Sequence, residues 1–319
     1  MTTSVHRIRL PANFRRQDVL AFHGRDPHAL AERVTASRLD KGLVWQGAPA
    51  LLSLNFQGDA VDAELAVDVD AGVDADPPRS EAMVRRMLGL GQDVEGFEHA
   101  HRHHPELGPV LARQSGLRVP VTASPFEALS WAITGQQISV QAAVAIRRRM
   151  IEACGIRHTS GMLCHPQAPQ LLALGKAGLR AAGFTASKAR TLLSVSEAVQ
   201  GGMLSLDDWL DPGPSQGLRG DPGDIAAQLL AIKGIGPWTV SYALMRGHGW
   251  LDGSLHGDVA VRRALGALLT RVPASGKPPS PPAPSPTVTA QVAEAWLAPL
   301  SPWRALAAAH LWASLSVAA

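Results

Sequence analysis

Two hydrophobic periods divide the chain. In Leu51-Leu52-Ser53-Leu54-Asn55-Phe56, and again in Ala63-Glu64-Leu65-Ala66-Val67-Asp68-Val69-Asp70, apolar and polar residues alternate. A period of two marks half-buried antiparallel strands. The stretch from Asp18 to Ser37 reads as a helix ahead of them. Residues 1–80 are therefore expected to form a small N-terminal α+β domain with an antiparallel sheet.

From about Ser80 the period becomes helical. Ser124-Pro125-Phe126-Glu127 combines an N-cap serine, a proline at the first helical position and a glutamate two residues further on, the arrangement of a capping box. The spacing predicts one helix from there to about Ala153. Further helices are predicted near 170–182, 185–200, 224–232, 237–247, 258–270, 288–298 and 302–316. The fold class is thus mainly α, with a helical region at 81–319 following the sheet domain. Asp211 to Gly223 reads as a loop. Pro273 to Pro286 holds seven prolines and reads as a solvated, polyproline-leaning insert at 273–286. No repeat of 20–50 residues is found.

Composition narrows the class. Of 319 residues, 46% are hydrophobic, enough to fill a sizeable core. No run of 18 apolar residues occurs, and Met1 to Leu10 lacks the apolar stretch of a signal peptide, so a soluble, cytoplasmic protein without a membrane partner is expected. Cys154 and Cys164 fit a reducing compartment and are too few for a four-cysteine iron-sulfur cluster held by this chain alone. The net charge of +3 is unevenly spread: residues 1–76 carry 8 Lys and Arg against 11 Asp and Glu, residues 77–272 carry 20 against 15. A polyanion would meet the middle of the chain more readily than its start.

The most informative segment is Leu229-Leu230-Ala231-Ile232-Lys233-Gly234-Ile235-Gly236-Pro237-Trp238-Thr239-Val240. Gly234 and Gly236 permit positive φ and a close backbone approach, and Pro237 suits the first position of a new helix. A turn feeding a helix N-terminus leaves backbone N–H groups unpaired, which suits a phosphate. Taken alone, such a turn reads equally well as a tight αα-hairpin that only packs the core. Twenty residues after Trp238, Asp258 opens the apparent helix of Val259-Ala260-Val261-Arg262-Arg263. An aspartate there is a favoured cap in any protein.

The joint spacing of that hairpin and that aspartate resembles the helix-hairpin-helix DNA glycosylase superfamily, in particular the bacterial inducible 3-methyladenine type. The segments Arg85-Arg86-Met87-Leu88-Gly89-Leu90, Pro125-Phe126-Glu127-Ala128-Leu129 and Gly135-Gln136-Gln137-Ile138-Ser139 look like the helices of that family in the right order. Ala182-Gly183-Phe184-Thr185-Ala186-Ser187-Lys188-Ala189, Pro302-Trp303-Arg304 and His310-Leu311-Trp312 do so too.

The resemblance implies a helical glycosylase region with two lobes and a cleft between them. It also implies base excision repair of double-stranded DNA containing damaged bases, by a monomer in the bacterial cytoplasm, associated with the nucleoid. The catalytic residue would be Asp258, a carboxylate stabilising the oxocarbenium-like sugar and orienting water. Bifunctional relatives carry a lysine where this chain has Trp238, so the resemblance implies a monofunctional enzyme that leaves an abasic site in an intact strand. Trp238, Tyr242, Trp312 and Phe22 would line the base pocket, and an aromatic pocket suits the cationic ring of an alkylated purine. Gly234, Ile235 and Gly236, with Lys233, would hold the DNA backbone. Gln136 and Gln137 would lie where the family wedges a side chain into the duplex, Gln137 replacing a leucine. No cofactor and no side-chain metal site are implied, apart from a Na or K ion on hairpin backbone carbonyls near Gly234.

Two clusters invite other readings. His99, His101, His103 and His104 lack the spacing of a zinc motif and read as a solvated helix end. Arg147-Arg148-Arg149 reads as a charged helix face. Two alternative functions stay open: a catalytically silent protein that binds DNA or senses damage, and a glycosylase for a different lesion.

Overall fold

The computed structural model describes residues 1–68, 74–211, 213, 217–270 and 287–316. Alternation builds the sheet. β1 (Thr2–Arg9), β2 (Glu32–Val34), β3 (Arg38–Trp45), β4 (Ala48–Gln57) and β5 (Ala60–Val67) form one antiparallel sheet in the order β1-β5-β4-β3-β2. In β4, Ala50, Leu52, Leu54 and Phe56 are buried while the residues between them are half-exposed. The buried face packs on α1 (Arg16–His23) and α2 (Pro77–Met87) through Val19, Leu20, Met83 and Met87. The helix expected over residues 18–37 is cut short. It ends at His23, ahead of Gly24 and Pro27; proline supplies no N–H and pushes the residue before it out of the helical region. The remainder joins the sheet, with Glu32, Arg33 and Val34 facing Lys41, Asp40 and Leu39.

The helical region comprises α3 (Val94–His101), α4 (Leu107–Arg113), α5 (Pro125–Gly135), α6 (Val140–Cys154), α7 (Ala168–Ala181), α8 (Ala186–Gln200), α9 (Pro222–Leu230), α10 (Pro237–His248), α11 (Val259–Leu269), α12 (Ala290–Leu297) and α13 (Arg304–Ser316). The single helix expected from Ser124 to Ala153 is two helices. Gln136 leaves helical geometry, Gln137 adopts φ 56°, and Ser139 caps a new start through the Ala142 N–H. Gln136 and Gln137 therefore sit in an interhelical turn, not inside a helix. The proline-rich insert at 273–286 lies outside the described residues.

Two further apolar clusters form the helical core. One gathers residues of α5 to α10, including Leu129, Ile133, Leu192, Leu229, Val240 and Leu244. The other joins α3 and α4 to α11, α12 and α13 through Phe97, Leu111, Leu265, Leu297 and Leu306. Helix α10 serves both, since Val240 and Leu244 face the first cluster and Tyr242 and Met245 the second. The seam between them is where the hairpin and Asp258 meet.

A buried ionic network ties the sheet to the helices. Lys41, fully buried in β3, donates to Glu32 at 2.6 Å and to Glu127 at 2.7 Å. Arg147 donates to the same two carboxylates at 2.8 and 2.9 Å, and His23 meets Glu32 at 2.8 Å. Glu127 is the residue expected to complete the capping box; its N–H does bond to Ser124, while its carboxylate turns inward to the cations. Burial alone would raise the Glu127 carboxyl, but Lys41, His165 and Arg147 bring it down to about 2. The reading of Arg147–Arg149 as a charged face is corrected accordingly. Arg147 is a half-buried ion-pair partner and Arg148 pairs with Asp26 at 3.4 Å; Arg149 alone is exposed, and it donates to the Ala182 carbonyl. The histidine cluster is only partly solvated. His101 packs against Phe97 and Trp303, with ring centroids at 5.1 and 5.9 Å, whereas His99 and His103 are exposed around Arg102.

Candidate active site

The hairpin joins α9 to α10. Gly234 adopts φ 96°, a region costly for any residue with a Cβ. A Cβ there would also collide with the Thr191 hydroxyl, which donates to the Lys233 carbonyl at 3.0 Å. Gly236 differs from expectation: it is extended, with φ −115°, and its surroundings are open. It caps α10 without a side chain, and Pro237 follows at the first position. The N–H groups of the opening turn thus face space that an anion can enter. Lys233 is exposed beside it. Ile235, grouped above with the DNA grip, is corrected: its side chain is buried and its N–H bonds to the Ile232 carbonyl. It fixes the turn from inside.

Gln136 and Gln137 divide their work. Gln136 Nε2 donates to the Gly234 carbonyl and to Thr239 Oγ1, both at 3.0 Å, and so ties the α5–α6 turn to the hairpin. Gln137 makes the exposed tip, flanked by the exposed apolar residues Ile138 and Val140.

Asp258 is the N-cap of α11, as its position in the sequence suggests. Its Oδ1 accepts from the Ala260 and Val261 N–H groups at 2.9 and 3.0 Å. Capping does not exhaust it. Trp312 Nε1 donates to the same oxygen at 3.1 Å, and Trp238 Nε1 donates to Oδ2 at 3.0 Å. Three elements, the starts of α10 and α11 and the end of α13, therefore fix one half-buried carboxylate with neutral donors. Each oxygen has an acceptor direction set by the fold, and Oδ2 carries the lighter load.

The aromatic residues continue from that carboxylate. Trp238 stacks on Tyr242, centroids 5.1 Å apart, and Tyr242 lies 6.2 Å from Trp312. The Tyr242 hydroxyl accepts from Trp131 Nε1 at 2.9 Å. Phe22, from α1, faces the guanidinium of Arg246, whose Cζ is 4.7 Å from the ring centroid. All four aromatic residues singled out in the sequence come together. Trp131, Arg25 and Arg246 were missed. Arg246 had a signal: it continues the Trp238–Tyr242 stripe by one more step of four. Trp131 and Arg25 had none, because only the tertiary fold brings α5 and the turn after α1 here. A recess lined by Phe22, Arg25, Thr122, Glu127 and Trp131 opens beside this group, joined to it by the Trp131–Tyr242 bond.

An ion at the hairpin would depend on main-chain oxygens. The carbonyls of Ile232, Lys233 and Gly234 already accept from Ile235, Thr191 and Gln136. Each retains a second lone pair. Such neutral oxygens fit a weakly held monovalent cation. Among the described residues no group of three or more His, Cys, Asp or Glu side chains is placed to hold a metal ion, and no helix is long and apolar enough to cross a membrane.

The model of the HhH-GPD superfamily base excision DNA repair protein matches residues 130–278. The probable bifunctional transcriptional activator/DNA repair enzyme AlkA of Mycobacterium tuberculosis is 30% identical over 241 residues, covering 73% of this chain. The match spans only 42% of that longer relative. The Escherichia coli DNA-3-methyladenine glycosylase 2 is 27% identical over 78% of this chain and 76% of its own length. In fold, the chain is similar to a 3-methyladenine DNA-glycosylase from Archaeoglobus fulgidus, with a TM-score of 0.73 at 19% identity over 96% of this chain and 97% of that one.

Proposed function

From the premise that residues 130–278 belong to the HhH-GPD superfamily of base excision repair proteins, we propose that the chain is a monofunctional DNA glycosylase acting on alkylated purines. The observation that carries this reading is the double indole clamp on Asp258 beside a hairpin with an open helix N-terminus. The hairpin holds the phosphate backbone of duplex DNA through α10 N–H groups and Lys233. Ile232, Lys233 and Gly234 would hold a monovalent cation there, which supplies positive charge toward a phosphate. The damaged nucleotide is everted among Trp238, Tyr242, Trp312 and Phe22, and Gln137 at the exposed tip fills the gap left in the stack.

Breaking the C1′–N bond sends its electron pair to the base and leaves positive charge on the sugar. Asp258 faces that charge and orients the water whose oxygen adds to C1′. Residue 238 is tryptophan, so no amine stands there to form a Schiff base; the strand stays intact. The names of the relatives support alkylated adenine as substrate, and the aromatic walls suit a flat purine.

Base release from alkylated duplex DNA, resolved by chromatography, tests the reading. Free alkylated purine should appear, with strand breaks only after alkali or heat. Breaks without such treatment would refute the monofunctional mechanism. DNA bound with no base released would favour a binding protein instead.

A further inference from the structure

Trp238, Tyr242 and Arg246 form one stripe of α10, and Arg246 is about 12 Å along the helix from Trp238. The Arg246 side chain is buried. One terminal nitrogen donates to the Pro120 carbonyl at 2.8 Å, while its Nε has no partner. The Tyr242 side chain also hydrogen-bonds to the guanidinium, and aromatic rings surround it: Cζ lies 4.7 Å from the Phe22 ring, 5.7 Å from Trp312 and 6.0 Å from Tyr242. No carboxylate among the described residues forms an ion pair with it. Burial lowers its pKa to about 10, which leaves it cationic at neutral pH.

The cations nearest this group are matched: Lys41 and the half-buried Arg147 by Glu32 and Glu127, Arg148 by Asp26. Among the described residues Arg86 and Lys188 are buried without an ion pair too, each donating to a main-chain carbonyl; what sets Arg246 apart is the set of three aromatic rings around it. An unmatched buried cation is costly, and packing alone would be served as well by a neutral side chain. A second guanidinium, that of the exposed Arg25, lies 4.5 Å from Phe22 and 5.9 Å from Trp131. Asp258 meets the same aromatic group through the indole N–H groups of Trp238 and Trp312, and its partners are all neutral N–H donors. Trp312 touches both poles, donating to Asp258 and facing Arg246.

We propose that Arg246, assisted by Arg25, is a fixed positive pole for the departing base, opposed to the negative pole of Asp258 on the sugar side. This rests on the glycosylase reading and deepens it. When the C1′–N bond breaks, the base gains one negative charge unit whatever its initial charge. A cationic alkylated purine leaves neutral; a neutral purine leaves as an anion and takes a proton from water. The sugar gains the positive unit and is captured by the oxygen of a second water, whose proton passes to Asp258 or solvent. A cation on the base side and an anion on the sugar side favour that transfer in both cases. Only for the cationic base does the same cation oppose binding before the bond breaks. The two lesion classes should therefore respond differently to its removal.

The test uses the full chain in single-turnover assays on duplexes carrying one hypoxanthine (neutral) or one 7-methylguanine (cationic). Arg246→Met should slow hypoxanthine release about tenfold or more, with the half-saturating concentration unchanged within about twofold. On 7-methylguanine the rate should also fall, while the half-saturating concentration drops because a repulsion is gone. Arg246→Lys keeps the charge but loses the planar guanidinium that stacks on the rings, and should recover only part of the loss seen in Arg246→Met. Arg25→Gln, at an exposed site that leaves the fold intact, should slow hypoxanthine release about threefold. The proposal is overturned if Arg246→Lys is as slow as Arg246→Met, if loss appears only as weaker binding on both duplexes, or if Arg25→Gln is at the wild-type rate while Arg246→Met does not fold. A wild type that releases neither base would defeat the glycosylase reading itself. A wild type that releases both, with variants matching it, would defeat this inference alone.

Discussion

Trp238 Nε1 donates to Oδ2 of Asp258 at 3.0 Å, on the oxygen that the α11 backbone leaves free. The two residues begin successive helices and are twenty positions apart. Their bond couples the turn that would hold DNA to the group that would act on the sugar. Removing it should leave an intact hairpin with a less well-aimed carboxylate. Trp238→Phe keeps a ring against Tyr242 and loses the N–H. A hydrogen bond to a charged group contributes about 1.5–3 kcal/mol, so base release should fall roughly tenfold or more while DNA affinity holds within about twofold. Single-turnover release alongside a binding titration checks this; an unchanged rate would show that the clamp is incidental.

The tip at Gln137 combines strain and exposure. Its φ of 56° is unfavourable for a side chain by roughly 1 kcal/mol. Gln137→Gly should therefore raise stability by about that amount and yet slow base release several-fold, because nothing would fill the duplex. Denaturant unfolding and release assays on the same preparation separate the two effects. A variant that gains stability without losing activity would remove Gln137 from the DNA interface.

At Gly234 geometry leaves no room for compromise. Gly234→Ala meets both the positive φ and the Thr191 hydroxyl, and should cost roughly 2 kcal/mol or more. It should also weaken DNA binding and flatten its dependence on salt, since fewer phosphates would be engaged. Wild-type affinity for this variant would show that the turn does not face DNA.

Acid should destabilise the fold in two stages. Burial holds His165 and His248 to about 4 and His310 to about 3, against an ordinary value near 6.5. A group with a depressed folded pKa stabilises above its unfolded value and loses that contribution as pH falls through the folded one. The histidine contribution is complete above about pH 6.5 and fades toward pH 4. That of Glu127, held to about 2, is complete above about 4.5 and fades below it. Melting temperature followed from pH 7.5 to 3 should turn down near 6.5, and His165→Leu should make the upper stage shallower. A flat profile between 6.5 and 4 would contradict the burial of these rings.

The sequence showed some of this plainly. Period-two alternation located β4 and β5, and Gly-Ile-Gly-Pro with Asp258 at a fixed interval located the site. What it hid depends on tertiary partners. Nothing in the local pattern from Asp18 to Ser37 announces that Glu32 to Val34 will find Lys41 as a neighbour across the sheet. The break at Gln136 and Gln137 carries no proline, and it is held open by two bonds to a hairpin almost a hundred residues away. Arg147 looked like a surface charge because its carboxylate partners lie on β2 and α5. Arg246 was within reach of the stripe logic that found Tyr242.

Asp258→Asn tests the central claim most directly, because asparagine caps a helix as well as aspartate does. The variant keeps the backbone cap and loses the negative charge along with the Trp238 bond, so stability should change by no more than about 2 kcal/mol. Release of alkylated purines from duplex DNA should drop by roughly a hundredfold or more. Release at the wild-type rate from this folded variant would contradict the account and leave Asp258 a cap and nothing else.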